Sequence, residues 1–239
     1  MQNFKIIVIS LQRSLLRRQK VHDEFLNTGL EWSFVDAVDG TQFKNLPSIY
    51  KRKKVERLLG YGLTKNEIAC YLSHKLAWNF CVTNNKTTVI FEDDFRLTPN
   101  FKNTIELLLT EPINWDLIRL QALYDVDFEL VNNFGDFNVV KNTGDAVGAT
   151  AYMLKPSTAL ELIKFSHEIY EPVDHFLEHT SKHGLSIMAL RPYPVLSSGI
   201  ISTIDDRSIR KPIRGFRKLK RSFYRSIDRL ISSNPWFPK

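Results

Sequence analysis

The sequence predicts an α/β fold: one domain with a mostly parallel central sheet over residues 1–206, then a basic tail over residues 207–239. Three observations carry this reading. The first strand-like run is followed by a helix-length amphipathic stretch and a second strand-like run, all between Lys5 and Val38. Short Val- and Ile-rich runs then alternate with helical patterns along the rest of the body, the signature of βαβ units and a parallel sheet. The composition, 43% apolar and 25% charged over 239 residues, supports a sizeable core and excludes disordered or fibrous classes for most of the chain.

The elements follow in order. KIIVIS (Lys5 to Ser10) is an almost unbroken apolar run, as expected of a strand covered on both faces. In LLRRQKVHDEFLNTG, Leu15, Val21, Phe25 and Leu26 recur at roughly helical spacing, and Gly29 takes the stop position. EWSFVDAV (Glu31 to Val38) predicts a second strand that ends at the Asp39-Gly40 turn pair, parallel to the first. Lys44 to Gly62, with KRKK at 51–54, reads as a surface loop containing a short helix. Thr64-Lys65-Asn66-Glu67 is a capping box. The helix it starts should bury Ala69, Leu72, Leu76 and Phe80 and stop at Thr83 to Lys86. Thr87 to Phe91 is then a buried strand that runs directly into Glu92-Asp93-Asp94. Beyond it the pattern predicts a helix around Asn100 to Leu109, a strand around Asp116 to Leu120 and a β region from Phe128 to Val140. Asp145 to Leu154 reads as a strand and Ser157 to Ile169 as a helix behind Pro156. A helix around Val173 to His183 and a strand at Leu185 to Leu190 close the body.

The net charge of +7 is unevenly placed. Arg207 to Lys239 holds 11 basic residues and one acid, leaving 22 basic and 25 acidic residues in the body. A nucleic-acid partner is therefore disfavoured, because its electrostatic footprint belongs on the folded domain. No run approaches the roughly 18 apolar residues of a membrane span, and MQNFKIIVISLQRS lacks the features of a signal peptide, so a cytoplasmic location is expected. The two cysteines, Cys70 and Cys81, fall in one predicted helix. Eleven residues at helical rise separate them by roughly 16 Å, too far for a disulfide. Without His or Cys neighbours at metal spacing they make a poor zinc site, and both read as small core hydrophobes.

The strongest chemical feature is Glu92-Asp93-Asp94 at the C-terminal end of a hydrophobic strand. In open α/β sheets, ligands bind beyond those strand ends. Three adjacent acids repel one another, and a hard divalent ion such as Mn2+ or Mg2+ relieves the repulsion; a solvated acidic turn is the bland alternative. Such an ion completes its shell with water and substrate phosphates, which points to a diphosphate or triphosphate. GxxxxGK[ST] and GxGxxG are both absent, which argues against a P-loop enzyme and a dinucleotide-dependent dehydrogenase. The turn Ser10-Leu11-Gln12-Arg13 adds backbone donors and a guanidinium at the same sheet edge, whereas Arg17 and Arg18 read as a solvated helix face.

In this order, VISLQRSLLRR, FVDAVDG, LTKNEIACYLSHKLAW, VIFEDDF, GATAYMLKPSTALELI and EPVDHFL resemble glycosyltransferase family 25, which includes bacterial lipooligosaccharide galactosyltransferases. The likeness spans about residues 3–206. It implies a GT-A nucleotide-sugar-binding fold in which Glu92 and Asp94 hold Mn2+ or Mg2+ with the donor diphosphate. Asp93 would lie near the donor sugar or ribose, with Ser10, Leu11, Arg13 and Asp36 around the nucleotide. His74 reads as a satisfied core histidine or, more sharply, a donor contact. Asp174 is the implied general base for inverting transfer, with Asp145 and Glu178 as rivals. No histidine follows His183 to complete a metal shell, so water, or a phosphate contact from Ser202 or Thr203, is expected there.

The tail bears on the acceptor. Phe216, Leu219, Phe223, Ile227 and Leu230 form a helical stripe, with Arg217, Lys218, Lys220, Arg221, Arg225 and Arg229 on the other faces and Trp236 and Phe237 beyond. A basic amphipathic helix suits an anionic membrane surface, or else packs on the enzyme's own body. Together with the resemblance this implies hexose transfer, galactose from UDP-galactose, onto a lipid-linked lipooligosaccharide or lipopolysaccharide acceptor at the inner face of the cytoplasmic membrane. A nucleotidyltransferase, a nucleotide-sugar hydrolase and a membrane-surface adaptor are the competing readings.

Overall fold

A computed structural model of the chain describes residues 2–199. The predicted amphipathic tail and Ser202 lie outside the described residues. The elements are β1 (Lys5–Ser10), α1 (Leu15–Phe25), β2 (Ser33–Asp36), α2 (Arg52–Leu59), α3 (Lys65–Asn84), β3 (Thr88–Glu92), β4 (Phe95–Leu97), α4 (Phe101–Thr110) and β5 (Leu117–Arg119). The hairpin β6 (Phe128–Asn133) and β7 (Asn138–Asn142) follows, then β8 (Ala151–Leu154), α5 (Pro156–Phe165), α6 (Val173–Glu178), α7 (Thr180–His183), β9 (Ile187–Arg191) and β10 (Val195–Ser197).

An eight-stranded sheet has the order β2-β1-β3-β8-β5-β9-β7-β6, and β4 pairs with β10 in a separate ribbon. Strands β2, β1, β3, β5, β9 and β6 point one way; β8 and β7 run against them. This is the mostly parallel α/β sheet that the sequence predicts. Because side chains alternate along a strand, β1 feeds both faces. Ile7 and Ile9 join Ile68, Tyr71, Trp78 and Leu162 beneath α3 and α5, while Ile6 and Val8 join Val21, Phe25, Phe101 and Ile105 beneath α1 and α4. Trp78 is fully buried, and truncating it to Ala would cost about 3–5 kcal/mol.

The capping box forms as predicted, with Thr64 Oγ1 accepting from Glu67 N at 3.1 Å and Glu67 Oε2 accepting from Thr64 N at 2.8 Å. The buried stripe of α3 is only partly the predicted one: Ala69 is buried and Leu72 and Phe80 are partly so, but Leu76 is 44% exposed, and Ile68, Tyr71, Trp78 and Cys81 take the inward positions. Likewise α1 turns Leu15 outward and buries Val21 and Phe25, and Leu26 just beyond it is exposed. Three boundaries also differ. Helix α5 stops at Phe165, where the Ser166 hydroxyl donates to Ile163 O, and Ile169 bridges to Tyr50 in extended backbone. The helix predicted around Val173 to His183 breaks at His179 into α6 and α7. The strand predicted from Asp145 begins only at Ala151, because Val147 and Gly148 have φ of 52° and 89°, outside any strand. A Cβ on Gly148 would lie 3.1 Å from Leu123 N, so this close approach needs glycine.

Candidate active site

Strands β1 and β3 are parallel neighbours in register, with Ile9 opposite Glu92, so both release their following loops at the same sheet edge. From β1 come Leu11 and Arg13; from β3 come Glu92, Asp93 and Asp94. Two cavities open there. The first is walled by Leu11, Arg13, Arg17, Asp39 and Asn66, and the second by Gln121, Gly148, Pro172, Asp174 and Ser197. Cys70, Glu92 and Asp94 belong to both walls, which makes these carboxylates the partition between the two spaces.

The acids differ in their partners. Asp93 is 8% exposed and accepts from Ser10 Oγ at 2.6 Å and from Arg17 Nη1 at 2.6 Å. Burial raises its pKa, against the lowering effects of Ser10 and Arg17. Arg17 Nη2 stands 3.8 Å from Asp94 Oδ2, beyond hydrogen-bond reach, and buried Asp94 Oδ1 has no hydrogen-bond partner among the described residues. Burial first, then the charge of Glu92, pushes the Asp94 carboxyl up to about 7. One guanidinium thus faces both Asp93 and Asp94. An orphaned buried carboxylate oxygen beside Glu92 fits a hard divalent cation, because oxygen donors and uncompensated negative charge are what Mn2+ and Mg2+ require.

Sequence comparison decides the family. The model of glycosyltransferase family 25 (LPS biosynthesis protein) matches residues 3–177. The chain belongs to glycosyltransferase family 25. Over 128 residues it is 37% identical to the probable inactive glycosyltransferase 25 family member 3 of Rattus norvegicus, covering 48% of this chain and 22% of that protein. It is 30% identical to procollagen galactosyltransferase 2 of Homo sapiens over 128 residues, covering 48% and 20%. The chain therefore spans about a fifth of the length of these relatives. Among solved structures, a glycosyltransferase involved in the glycosylation of the major capsid of PBCV-1 aligns over 79% of this chain and 81% of that one, at 8% identity and a TM-score of 0.42.

Within this family 25 site the predicted residues separate clearly. Leu11 and Arg13 line the first cavity, and Arg13 Nε donates to Asp39 Oδ2 at 2.6 Å, which with Thr41 holds the Asp39 carboxyl well below the usual range. Asp36 is not a wall; it pairs with Arg18 and accepts from Gln12 Nε2 at 2.7 Å. Ser10 and Asp93 reach the cavity, but the Ser10 hydroxyl is committed to Asp93. His74 is fully buried and walls neither cavity, so its link to the site runs through Glu92, whose Oε1 is 3.2 Å from Nε2. Asp174 lines the second cavity. Its two rivals do not: Asp145 and Glu178 wall a different cavity, and Glu178 Oε1 lies 2.8 Å from Arg119 Nη2 and accepts from Val147 N at 3.0 Å.

Two readings need correction. Arg17 and Arg18 are ion-paired and largely shielded, not solvated. Arg17 shares the face of α1 that carries Val21 and Phe25 at i, i+4 spacing, so the signal was present and charge obscured it. Cys70 packs against the core only in part; it also walls both cavities, and its Sγ donates to Glu92 Oε1 at 3.4 Å. Contrary to the expectation for the cysteines, His74, one helical turn on, stands at metal spacing from Cys70. Cys81 is buried as expected.

Proposed function

We propose that this family 25 chain is a metal-dependent, inverting glycosyltransferase that moves a hexose, galactose from UDP-galactose, onto a hydroxyl of a lipooligosaccharide or lipopolysaccharide core acceptor. The observation that carries the proposal is the carboxylate partition: Glu92 and Asp94 serve two cavities at once, as a reaction between two substrates demands. The nucleotide would occupy the side of Leu11, Arg13 and Asn66, and the acceptor the side of Asp174. Galactose is supported by the name of the procollagen galactosyltransferase relative, and the acceptor class by the description of the matching family. The basic amphipathic pattern from Phe216 to Leu230 supports docking at the cytoplasmic face of an anionic membrane, where a lipid-linked acceptor resides.

Glu92 and Asp94 would hold the Mn2+ or Mg2+. When bound, such an ion supplies positive charge against the leaving diphosphate. Asp174 takes the proton from the attacking acceptor hydroxyl, whose oxygen forms the new bond to the sugar carbon as the bond to the diphosphate oxygen breaks. Arg17, through Asp93, fixes the loop that carries Asp94. The test is an assay of the full chain with UDP-galactose, UDP-glucose and a core-oligosaccharide acceptor, following UDP release and the lengthened glycan. Wild type should transfer in the presence of Mn2+, and Asp94→Ala should lose at least 100-fold. Pyrophosphate release, transfer undiminished in Asp94→Ala, or no transfer by wild type would overturn the reading.

A further inference from the structure

Behind Glu92 stand three side chains that wall neither cavity. Trp78 Nε1 is 2.8 Å from Tyr152 Oη, Tyr152 Oη is 2.8 Å from His74 Nδ1, and His74 Nε2 is 3.2 Å from Glu92 Oε1. Trp78, Tyr152 and His74 are each fully buried, and the His74 and Tyr152 rings stack with centroids 5.7 Å apart.

Donor and acceptor capacity fixes the direction of this chain. An indole N–H can only donate, so the Tyr152 oxygen accepts from Trp78. The remaining neighbour of the phenol among the described residues is His74 Nδ1, which must accept the phenolic hydrogen. The neutral imidazole then carries its own hydrogen on Nε2 and donates it to Glu92. The opposite tautomer would aim Nδ1–H at the phenol and strand the phenolic hydrogen where no water reaches, a cost of about 1–3 kcal/mol.

The same direction resolves an ambiguity. Cys70, His74 and Glu92 bring a sulfur, a nitrogen and an oxygen within 4.8 Å of one another, a set whose chemistry suits a thiophilic ion such as Zn2+. A nitrogen that holds a hydrogen has no lone pair to offer a metal. His74 therefore acts on the carboxylate: Glu92 Oε1 receives both His74 Nε2–H and Cys70 Sγ–H, from adjacent turns of α3.

We propose that Trp78, Tyr152 and His74 are positioning residues, a buried hydrogen-bond chain that sets the orientation of the Glu92 carboxylate at the partition between the two cavities. The proposal rests on the reading that Glu92 helps to hold a divalent cation. Partners of this kind behind a ligand typically matter 10–100-fold for metal affinity.

Two measurements on the full chain test it. The 15N shifts of the wild-type imidazole should show His74 as the Nε2–H tautomer at neutral pH; an Nδ1–H tautomer overturns the proposal without reference to any metal or activity. Titration of Mn2+, followed by electron paramagnetic resonance of the free ion, should show Tyr152→Phe and His74→Phe bound about 10–100-fold more weakly, with His74→Gln, which retains an N–H donor, partly restored. Circular dichroism checks that each variant is folded. Folded Tyr152→Phe and His74→Phe with Mn2+ affinity within twofold of wild type overturn the positioning role. Tight Co2+ binding with a thiolate charge-transfer band that His74→Gln abolishes overturns the donor role. A wild-type chain that binds no Mn2+ overturns the cation reading and the purpose assigned here to the chain, while the tautomer still judges the hydrogen bonds.

Discussion

Arg17 Nη1 lies 2.6 Å from Asp93 Oδ1, which ties the first turn of α1 to the loop after β3 with both side chains largely shielded from water. Removing one partner of a shielded pair leaves an uncompensated charge. Arg17→Leu should therefore destabilise the chain by about 3 kcal/mol in urea unfolding, and Asp93→Asn in the same chain should recover much of that loss. A loss below about 1 kcal/mol would show the pair to be no more than a surface contact.

Divalent ions should stabilise the fold more at high pH than at low. Asp94, raised to about 7 by burial and by Glu92, keeps in the native state a proton that the unfolded carboxyl releases near its ordinary value of 3.8. Its contribution to stability is therefore present at low pH and declines as pH rises through that window. Above it the native chain carries a shielded charge that a bound Mn2+ would relieve. Thermal unfolding should show a larger Mn2+-induced rise in Tm at pH 8 than at pH 6, and Asp94→Asn should erase the difference. Equal shifts at both pH values in wild type would contradict it.

His183 makes the opposite contribution. Burial lowers its pKa to about 4, against backbone hydrogen bonds that raise it, and its Nδ1 accepts from Leu185 N at 3.2 Å. The unfolded imidazole, near 6.5, takes up a proton that the native ring resists. Stability from this group is full above about 6.5 and is lost as pH falls towards 4, by up to about 3 kcal/mol. Denaturation midpoints for wild type and His183→Gln should converge on acidification; parallel curves would assign the acid sensitivity elsewhere.

Two carboxylates near one another in sequence should fail in different ways. Asp174→Asn should leave donor binding intact and lower kcat by about 10²–10⁴-fold, as expected of a lost general base. Glu178→Ala should instead destabilise the fold by about 3 kcal/mol, because it strands Arg119, 1% exposed, and removes the acceptor that holds Val147 N at a φ of 52°. Near-wild-type kcat in Asp174→Asn would move the base to another group.

Features written in neighbouring residues were legible without coordinates. The apolar runs of β1 and β3, the Thr64–Glu67 capping box and the acidic triplet at a strand end each follow from residues a few positions apart. Strand–helix–strand order with right-handed connection then sets the first strands parallel. Side-chain facing was less legible, because α3 is covered by α5 and α6 as well as by the sheet, and so a wide arc of it is buried.

By itself, the sequence determined the α/β class, the family and the place of the carboxylates, since local pattern and ordered motifs suffice for those. Only the tertiary structure decided what each carboxylate does. Asp93 is committed to Ser10 and Arg17, 83 and 76 positions away. Glu178 is committed to Arg119, and Glu92 is held from behind by His74 on α3. Burial and hydrogen-bond direction distinguish a held acid from an available one, and both depend on neighbours that meet only when the sheet and its helices pack.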